Sequence, residues 1–463
     1  MHRRGHERDP AHHHRQADDR AESGVSGSDD RSGEGREGLN RPRPTGPDDR
    51  SGEGREGLNR AGLPRLPLAG LRILSFEQFG AGPFATMHLA DLGAEVVKVE
   101  QPATEGEPPG DIARHTGGHA LGHDDSQYFQ SFNRNKRSLT LDLRKPGARE
   151  ALHRLVRDAD AVLNNLRGDL PVKLGLDHAA LAAVKPGIVC VHLSGYGRSG
   201  PRAAWPAYDY LAQAEAGFCA LTGEPEQLPA RAGLSVVDFL SGLTAATALL
   251  AGVMGARASG RGCDLDVSLY DVAMHSLTYV ATWYLNDGTD LPRRPRGGHP
   301  FVVPCEMFPT ADGHVFVMCI KPGFWRSFCD IAGVPGLPGD PRFKGFDDRL
   351  ANRTALMDLL DPVMRGRTSA EWMALLAGRV PVAPVLGLGA ALDSPYFRDQ
   401  GGVLALPHPA RPDLKVVASP IRLDGARLAG RAGPAHGADS AAVLAEAGYT
   451  PAEIDHLRAL GAV

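Results

Sequence analysis

The chain has few cysteines and none of the spacings that would give them chemistry. Cys190, Cys219, Cys263, Cys305, Cys319 and Cys329 form no CxxC pair and no zinc-like pattern. They read as reduced, buried thiols of a cytoplasmic protein, and no metal site is expected. Long hydrophobic runs are also missing. The most apolar stretch, Leu243 to Ala256, has 14 residues rich in alanine and glycine, too short to span a bilayer. The N-terminus is charged and carries no apolar core of a secretory signal, so no membrane partner is expected. Charge of either sign is not in excess: 51 Lys and Arg stand against 55 Asp and Glu, a net charge of -4, which provides no general field for nucleic acid. GxxxxGK[ST], HExxH and GxSxG are all absent. P-loop nucleotidases, zincins and serine hydrolases of the α/β type therefore lack their signatures.

What is present divides sharply near residue 65. Residues 1–65 are dominated by Gly, Arg, Asp, Glu, His and Pro, a composition that cannot bury a core and predicts disorder. The 13-residue string DDRSGEGREGLNR occurs there twice, at 29–41 and 48–60, a tandem duplication rather than a folded solenoid. The His12-His13-His14 run reads as a solvated tract. From Leu66 the pattern becomes that of an α/β protein. Leu71 to Phe76 predicts a strand, Gly80 to Pro83 a turn, Phe84 to Leu92 a helix closed by Gly93, and Glu95 to Val99 a second strand. Strand, helix and strand in some 30 residues make a βαβ unit and hence a parallel sheet. Ala148 to Asp158 (helix), Ala161 to Leu163 and Ile188 to Leu193 (strands) continue the alternation, giving a Rossmann-like first segment. Further on, Cys263 to Ser268 predicts a strand, Tyr270 to Leu285 a helix, Met307 to Ile320 a hairpin, Gly323 to Ala332 a helix and Pro451 to Leu460 a C-terminal helix. Prolines, arginines and Gly297-Gly298 between Leu291 and Pro304 mark a loop or a domain boundary.

Asp238 lies between Leu234-Ser235-Val236-Val237, which reads as a strand, and the apolar, helical stretch from Phe239 to Ala256. A carboxylate there faces the positive end of a helix dipole, which favours its ionised form and a nucleophilic role. Capping the helix is the other reading, and on local sequence the favoured one. Gly195 to Gly200 contains GxGxxG after a strand, but Pro201 to Pro206 follows it as a loop where a dinucleotide site requires a helix. Arg134, Lys136 and Arg137, just ahead of an alternating strand, either hold phosphate groups or are solvated; alone, the solvated reading is favoured. The turn Gly80-Ala81-Gly82-Pro83 is the better ligand candidate, because it follows a strand at the sheet's carboxyl edge.

Taken in order, LAGLRILSFEQFGAGPFATMHLADLGAEVVKVE at 68–100, NRNKRSLTLDL at 133–143, SGYGRSGP at 194–201 with PAYDYLAQAEAG from Pro206, and VVDFLSGLTAATALLAGVMGARASGRG at 236–262 resemble the class III CoA-transferase family of CaiB/BaiF type. That family includes formyl-CoA and carnitine CoA-transferases and α-methylacyl-CoA racemases. The resemblance implies a large Rossmann-like domain from both ends of the chain plus a small α+β domain, in ring-like subunits interlocked as a homodimer. On this sequence the large domain takes 66–270 and 360–463, the small domain 290–346, and the linkers 271–289 and 347–359.

The same resemblance implies acyl-CoA:carboxylate CoA transfer with Asp238 as nucleophile, an acyl-CoA donor, a carboxylic acid acceptor, and no tightly bound cofactor beyond the CoA thioester used as substrate. Asp209 falls where some transferases carry an accessory acid. Gly297 and Gly298, with the Gly80 turn, are expected to donate N–H groups to oxyanions. Phe79, Gly80, Ala81, Arg134, Lys136, Arg137, Leu141, Asn165, Leu166 and Lys173 are expected around CoA. The stretch Asn165 to Asp169 lacks the aromatic and proline of the family pattern, and Lys173 replaces an arginine, keeping charge but not the bidentate fork. The racemase branch uses a histidine and a glutamate at positions matching Tyr208 and Lys321. Tyrosine is a poor base near neutral pH and lysine does not replace glutamate there, which disfavours proton transfer alpha to the thioester. A CoA-binding protein without turnover would have no need of Asp238.

Overall fold

A computed structural model describes residues 66–463 apart from Glu105 and Glu107. The duplicated string, the His12 run and the disorder expected over 1–65 lie outside the described residues. The first half alternates strand and helix as the sequence predicts: β1 (Arg72–Phe76), α1 (Ala81–Asp91), β2 (Glu95–Glu100), α2 (Gln127–Asn133), β3 (Arg137–Thr140), α3 (Ala148–Asp158), β4 (Ala161–Asn164), α4 (Leu170–Leu174), α5 (His178–Leu181), β5 (Val189–Ser194), α6 (Asp209–Glu215), α7 (Phe218–Leu221), α8 (Val236–Ser259) and β6 (Asp264–Ser268). The six strands pair parallel in the order β3-β2-β1-β4-β5-β6. Strand order reverses between β1 and β4, and an open sheet of this kind leaves a crevice at that point beyond the carboxyl ends of its strands. Its central strands are buried on both faces and sit between two cores. One contains Ile73, Val191, Val237 and Leu249 and is covered by α1 and α8; the other contains Leu74, Val162, Leu152 and Leu155 and is covered by α3 and the C-terminal helices at 440–446 and 451–459.

Two sequence expectations change here. Leu234 to Val237 is not a strand. Val236 and Val237 open α8, because burial of Val237 in the first core outweighs the β preference of adjacent valines. Tyr270 to Leu285 is two helices, α9 (Leu269–Ser276) and α10 (Thr278–Asp287), separated where Thr278 takes a left-handed φ of 43°. At 24 residues and a mean hydropathy of 1.7 in its most apolar window, α8 is long and apolar enough to cross a membrane by length and composition, unlike the 14-residue stretch read from the sequence. Part of that apolar surface is used against β5, β6 and α1, with Ala245, Leu249 and Val253 in the core. Gly242 lets the helices close: a Cβ there would stand 2.7 Å from the Ala81 carbonyl oxygen.

Beyond residue 300 a second sheet, β7 (Cys305–Pro309), β8 (His314–Met318) and β9 (Val382–Pro384), packs with α11 (Pro322–Ala332), α13 (Arg353–Arg365) and α14 (Ser369–Leu376), while α12 is the short helix Phe346–Ala351. Its core of Phe308, Trp325, Phe328, Leu360 and Trp372 runs on through Leu376 and Val380, past the 347–359 expected as a linker.

Candidate active site

The crevice at the β1/β4 switch is a cavity of about 490 Å³. Gln78, Phe79, Gly80 and Ala81 line it from the β1–α1 turn, Asn165, Leu166 and Arg167 from the end of β4, and Ser194 and Gly195 from the end of β5. Trp205 to Tyr208, Ile112 and Leu269 add further walls, and α8 contributes Asp238. The turn is clamped by reciprocal bonds: Gln78 N–H donates to Asn165 Oδ1 at 2.8 Å, and Asn165 Nδ2 donates to the Gln78 carbonyl at 2.7 Å. Asn165, expected to touch CoA, thus also joins β1 to β4.

Asp238 is not the N-cap of α8. Ser235 holds that place without a side-chain bond, and Asp238 lies in the first helical turn, where backbone N–H groups have no intrahelical acceptor. Its own N–H donates to Asp209 Oδ2 at 2.9 Å. Asp209, buried at the start of α6, is held in turn by Gln213 Nε2 at 2.5 Å, and Gln213 Oε1 accepts the Ala232 N–H at 2.9 Å. The accessory acid of the sequence reading therefore contacts the backbone of Asp238 and ties the loop before α8 to α6. The Asp238 side chain faces Gly80 so closely that a Cβ on that glycine would fall 2.6 Å from Oδ2.

The dipole argument, which favoured an ionised carboxylate, is overturned. Burial pushes the Asp238 carboxyl up to about 7, and the Asp209 charge adds to the effect. The backbone N–H of Asp238 itself is taken by Asp209, and burial and like charge exceed the helix-end field. Tyr128, whose ring lies 5.1 Å from that of Phe79, is pushed up to about 12 by burial, then by Asp238.

Under the turn lies a balanced buried network. Lys98 Nζ is 2.8 Å from Asp111 Oδ2 and donates to the Glu77 carbonyl at 2.8 Å. Lys136 Nζ donates to Glu77 Oε1 at 2.8 Å, and Arg114 binds Glu100 through Nε and Nη2 at 2.8 and 2.7 Å. Burial would raise Glu77, but Lys136 and Lys98 outweigh it and hold the carboxyl below its usual range. Burial brings Lys136 down to about 8, only partly opposed by Glu77.

The three cations of NRNKR consequently do not line the cavity. Arg134 forks onto Asp91 at 2.7 and 2.9 Å, Lys136 belongs to Glu77, and Arg137 binds Glu95 and Glu446. Their partners lie 43, 59 and up to 309 residues away in sequence, which a local reading cannot reach. Lys173 is exposed and paired with Asp169 at 2.6 Å. Gly297 and Gly298 lie in the turn beside Met307 and Arg353 and line neither this cavity nor its neighbour. Phe79, Gly80, Ala81, Asn165, Leu166 and Asp238 are brought together in one cavity. Leu141 lines the neighbouring one of about 370 Å³, which shares Gln78 and Leu166 with the first. Two cations stand on these walls: Arg167, inside the Asn165 to Asp169 stretch already set against the family pattern, and Arg144, which was not singled out from the sequence. Arg167 borders the first cavity, paired with Asp169, and Arg144 the second, paired with Asp142. Both follow strands β4 and β3 closely, and that position at the carboxyl edge is the signal that marks them.

Comparison with known proteins places this geometry in context. The family model of CoA-transferase family III matches residues 68–440. A succinate–glutarate CoA-transferase of Agrobacterium fabrum is 32% identical over 341 residues, covering 72% of this chain and 84% of its own. An acetyl-CoA:oxalate CoA-transferase of Acetobacter aceti is 33% identical over 335 residues, covering 72% and 84%. The crystal structure of a CaiB/BaiF family protein from Brucella suis superposes with a TM-score of 0.72 at 30% identity, over 83% of this chain and all of that one.

Proposed function

The chain belongs to CoA-transferase family III, and we propose that it moves CoA from an acyl-CoA donor to a free carboxylate through covalent intermediates on Asp238. The observation that carries this reading is the buried Asp238 carboxylate set against the glycine backbone at the sheet's switch point. A carboxylate oxygen attacks the thioester carbon and expels CoA thiolate, giving a mixed anhydride. The thiolate then attacks the aspartyl carbonyl, releasing the donor acid and leaving an aspartyl-CoA thioester. The acceptor carboxylate repeats the two steps in reverse order, and Asp238 is regenerated. One acyl bond is exchanged for another, so no nucleotide is consumed. Oxyanions formed at Asp238 meet the opening turn of α1, where the N–H groups of Gly80 and Ala81 precede the first intrahelical bonds. A carboxyl near 7 remains appreciably ionised at neutral pH, and burial makes its ionised form more reactive than a solvated one.

The two joined cavities offer CoA a continuous path, its thioester at Asp238 and its distal part toward Leu141, with Arg167 and Arg144 in reach of phosphates. A homodimer accords with the apolar residues left exposed on and around α8 and α10: Leu234, Leu243, Met254, Tyr284 and Leu285. The racemase alternative draws no support from side chains at the two positions concerned. Tyr208 is a solvent-exposed phenol on the cavity rim, and Lys321 lines neither cavity.

Incubation with a panel of acyl-CoAs and free acids, followed by hydroxylamine or borohydride, tests the mechanism. A trapped adduct mapped to Asp238 is expected. Undiminished transfer by Asp238→Ala would refute it, and deuterium uptake alpha to the thioester without exchange would favour the racemase.

A further inference from the structure

Phe79 adopts φ 67°, the left-handed region that side chains other than glycine enter at a cost. It immediately precedes Gly80, whose backbone abuts the Asp238 carboxylate. Something outside the turn must hold it there, because the β1–α1 connection would otherwise relax toward ordinary φ values. The holding group is Asp111, from the long connection between β2 and α2. Asp111 is 2% exposed. Its Oδ1 accepts the Phe79 N–H at 2.9 Å and the Ala113 N–H at 2.9 Å, its own N–H donates to Glu100 Oε2 at 3.0 Å, and its Oδ2 stands 2.8 Å from Lys98 Nζ. Lys98, Glu100 and Ala113, which anchor Asp111, are themselves buried, while Phe79 is half-buried. The carboxylate is therefore a fixed point rather than a flexible one, and its neighbour Ile112 lines the same cavity as Phe79.

We propose that Asp111 is a positioning residue for the reaction at Asp238: by accepting the Phe79 N–H it holds the left-handed turn that sets the Gly80–Ala81 backbone against the reacting carboxylate. The proposal rests on the reading of Asp238 as nucleophile. It adds that the geometry of the α1 opening is set from the β2–α2 connection, through one backbone hydrogen bond. Asp111 borders the second cavity but makes no bond to the Asp238 carboxylate, so its loss should slow the chemical steps more than it weakens CoA binding.

The test compares two double variants that remove the Lys98 charge together with the Asp111 charge. K98M/D111N retains an acceptor for the Phe79 N–H, whereas K98M/D111L does not. With acyl-CoA donor and acceptor acid, K98M/D111L is expected to show a kcat about 10- to 100-fold below K98M/D111N, with KM for acyl-CoA within about threefold. Should the leucine variant not fold, the single variants D111N and D111A repeat the comparison with Lys98 in place. A second readout separates positioning from general loosening. In an F79G background the left-handed turn no longer needs the bond, since glycine takes that φ without strain, so the ratio between the two double variants should fall toward one. Equal kcat in K98M/D111N and K98M/D111L, or a ratio untouched by F79G, overturns the proposal. Failure of the underlying reading looks different: D238A would keep transfer and no adduct would be trapped, whatever the Asp111 variants do.

Discussion

Asp238→Asn should make the protein inactive and, above neutral pH, more stable. The carboxyl is 9% exposed and stands at about 7 in the folded chain, raised first by burial and then by Asp209; in the unfolded chain an aspartate titrates near 3.9. Because the folded state holds this proton more tightly, the associated stability is fully present below the unfolded value. It is lost as pH rises and is gone once pH passes the folded value. The gap of about three pH units corresponds to about 4 kcal/mol. An asparagine carries no such titration, so the variant gains on the wild type by about that amount between pH 4 and pH 8. For a folded body near 400 residues, an unfolding entropy of about 0.8 kcal/mol/K converts this into a relative shift of about 5 °C in thermal midpoint. Paired thermal melts from pH 4 to 8.5 measure it, alongside a transfer assay at each pH. Midpoints that move in parallel across the range would refute the account of Asp238 as a buried carboxyl that is costly to ionise. Wild-type kcat/KM should rise with pH and level off above about 7, as the ionised nucleophile becomes fully populated.

Other consequences follow from the same geometry. Gly80→Ala places a methyl 2.6 Å from Asp238 Oδ2, and kcat should fall by about 100-fold in steady-state assays while the fold, read by circular dichroism, persists. Asp209→Asn removes the charge beside Asp238, so the acid limb of kcat/KM should move to lower pH. Arg167→Ala and Arg144→Ala should each raise KM for acyl-CoA several-fold, as loss of a charge-assisted contact implies, with smaller effects on kcat. Lys136→Met leaves Glu77 buried with one cation fewer; urea denaturation should register a loss of about 3–5 kcal/mol, the usual consequence of breaking a buried pair.

Local pattern alone placed much of this protein. Alternating strands and helices from Leu71 to Ser268 specified a parallel sheet, because buried β-branched runs and 3.6-residue periodicity are properties of neighbouring residues. The loop expected after the GxGxxG at Gly195 to Gly200 is present, since the next helix begins only at Asp209. Ordered motifs marked Asp238 and the Gly80 turn, which the sheet brings to one crevice. Tertiary structure decided what a charge is for. Arg134, Lys136 and Arg137, which local sequence left solvated and the resemblance placed around CoA, are held by Asp91, Glu77, Glu95 and Glu446, and no spacing encodes partners dozens to hundreds of residues away. Asp238 looked like an ionised cap until folding buried it beside Asp209, because a pKa belongs to an environment and not to a residue. The sequence names the carboxylate; only the fold sets its protonation and the strained turn that faces it.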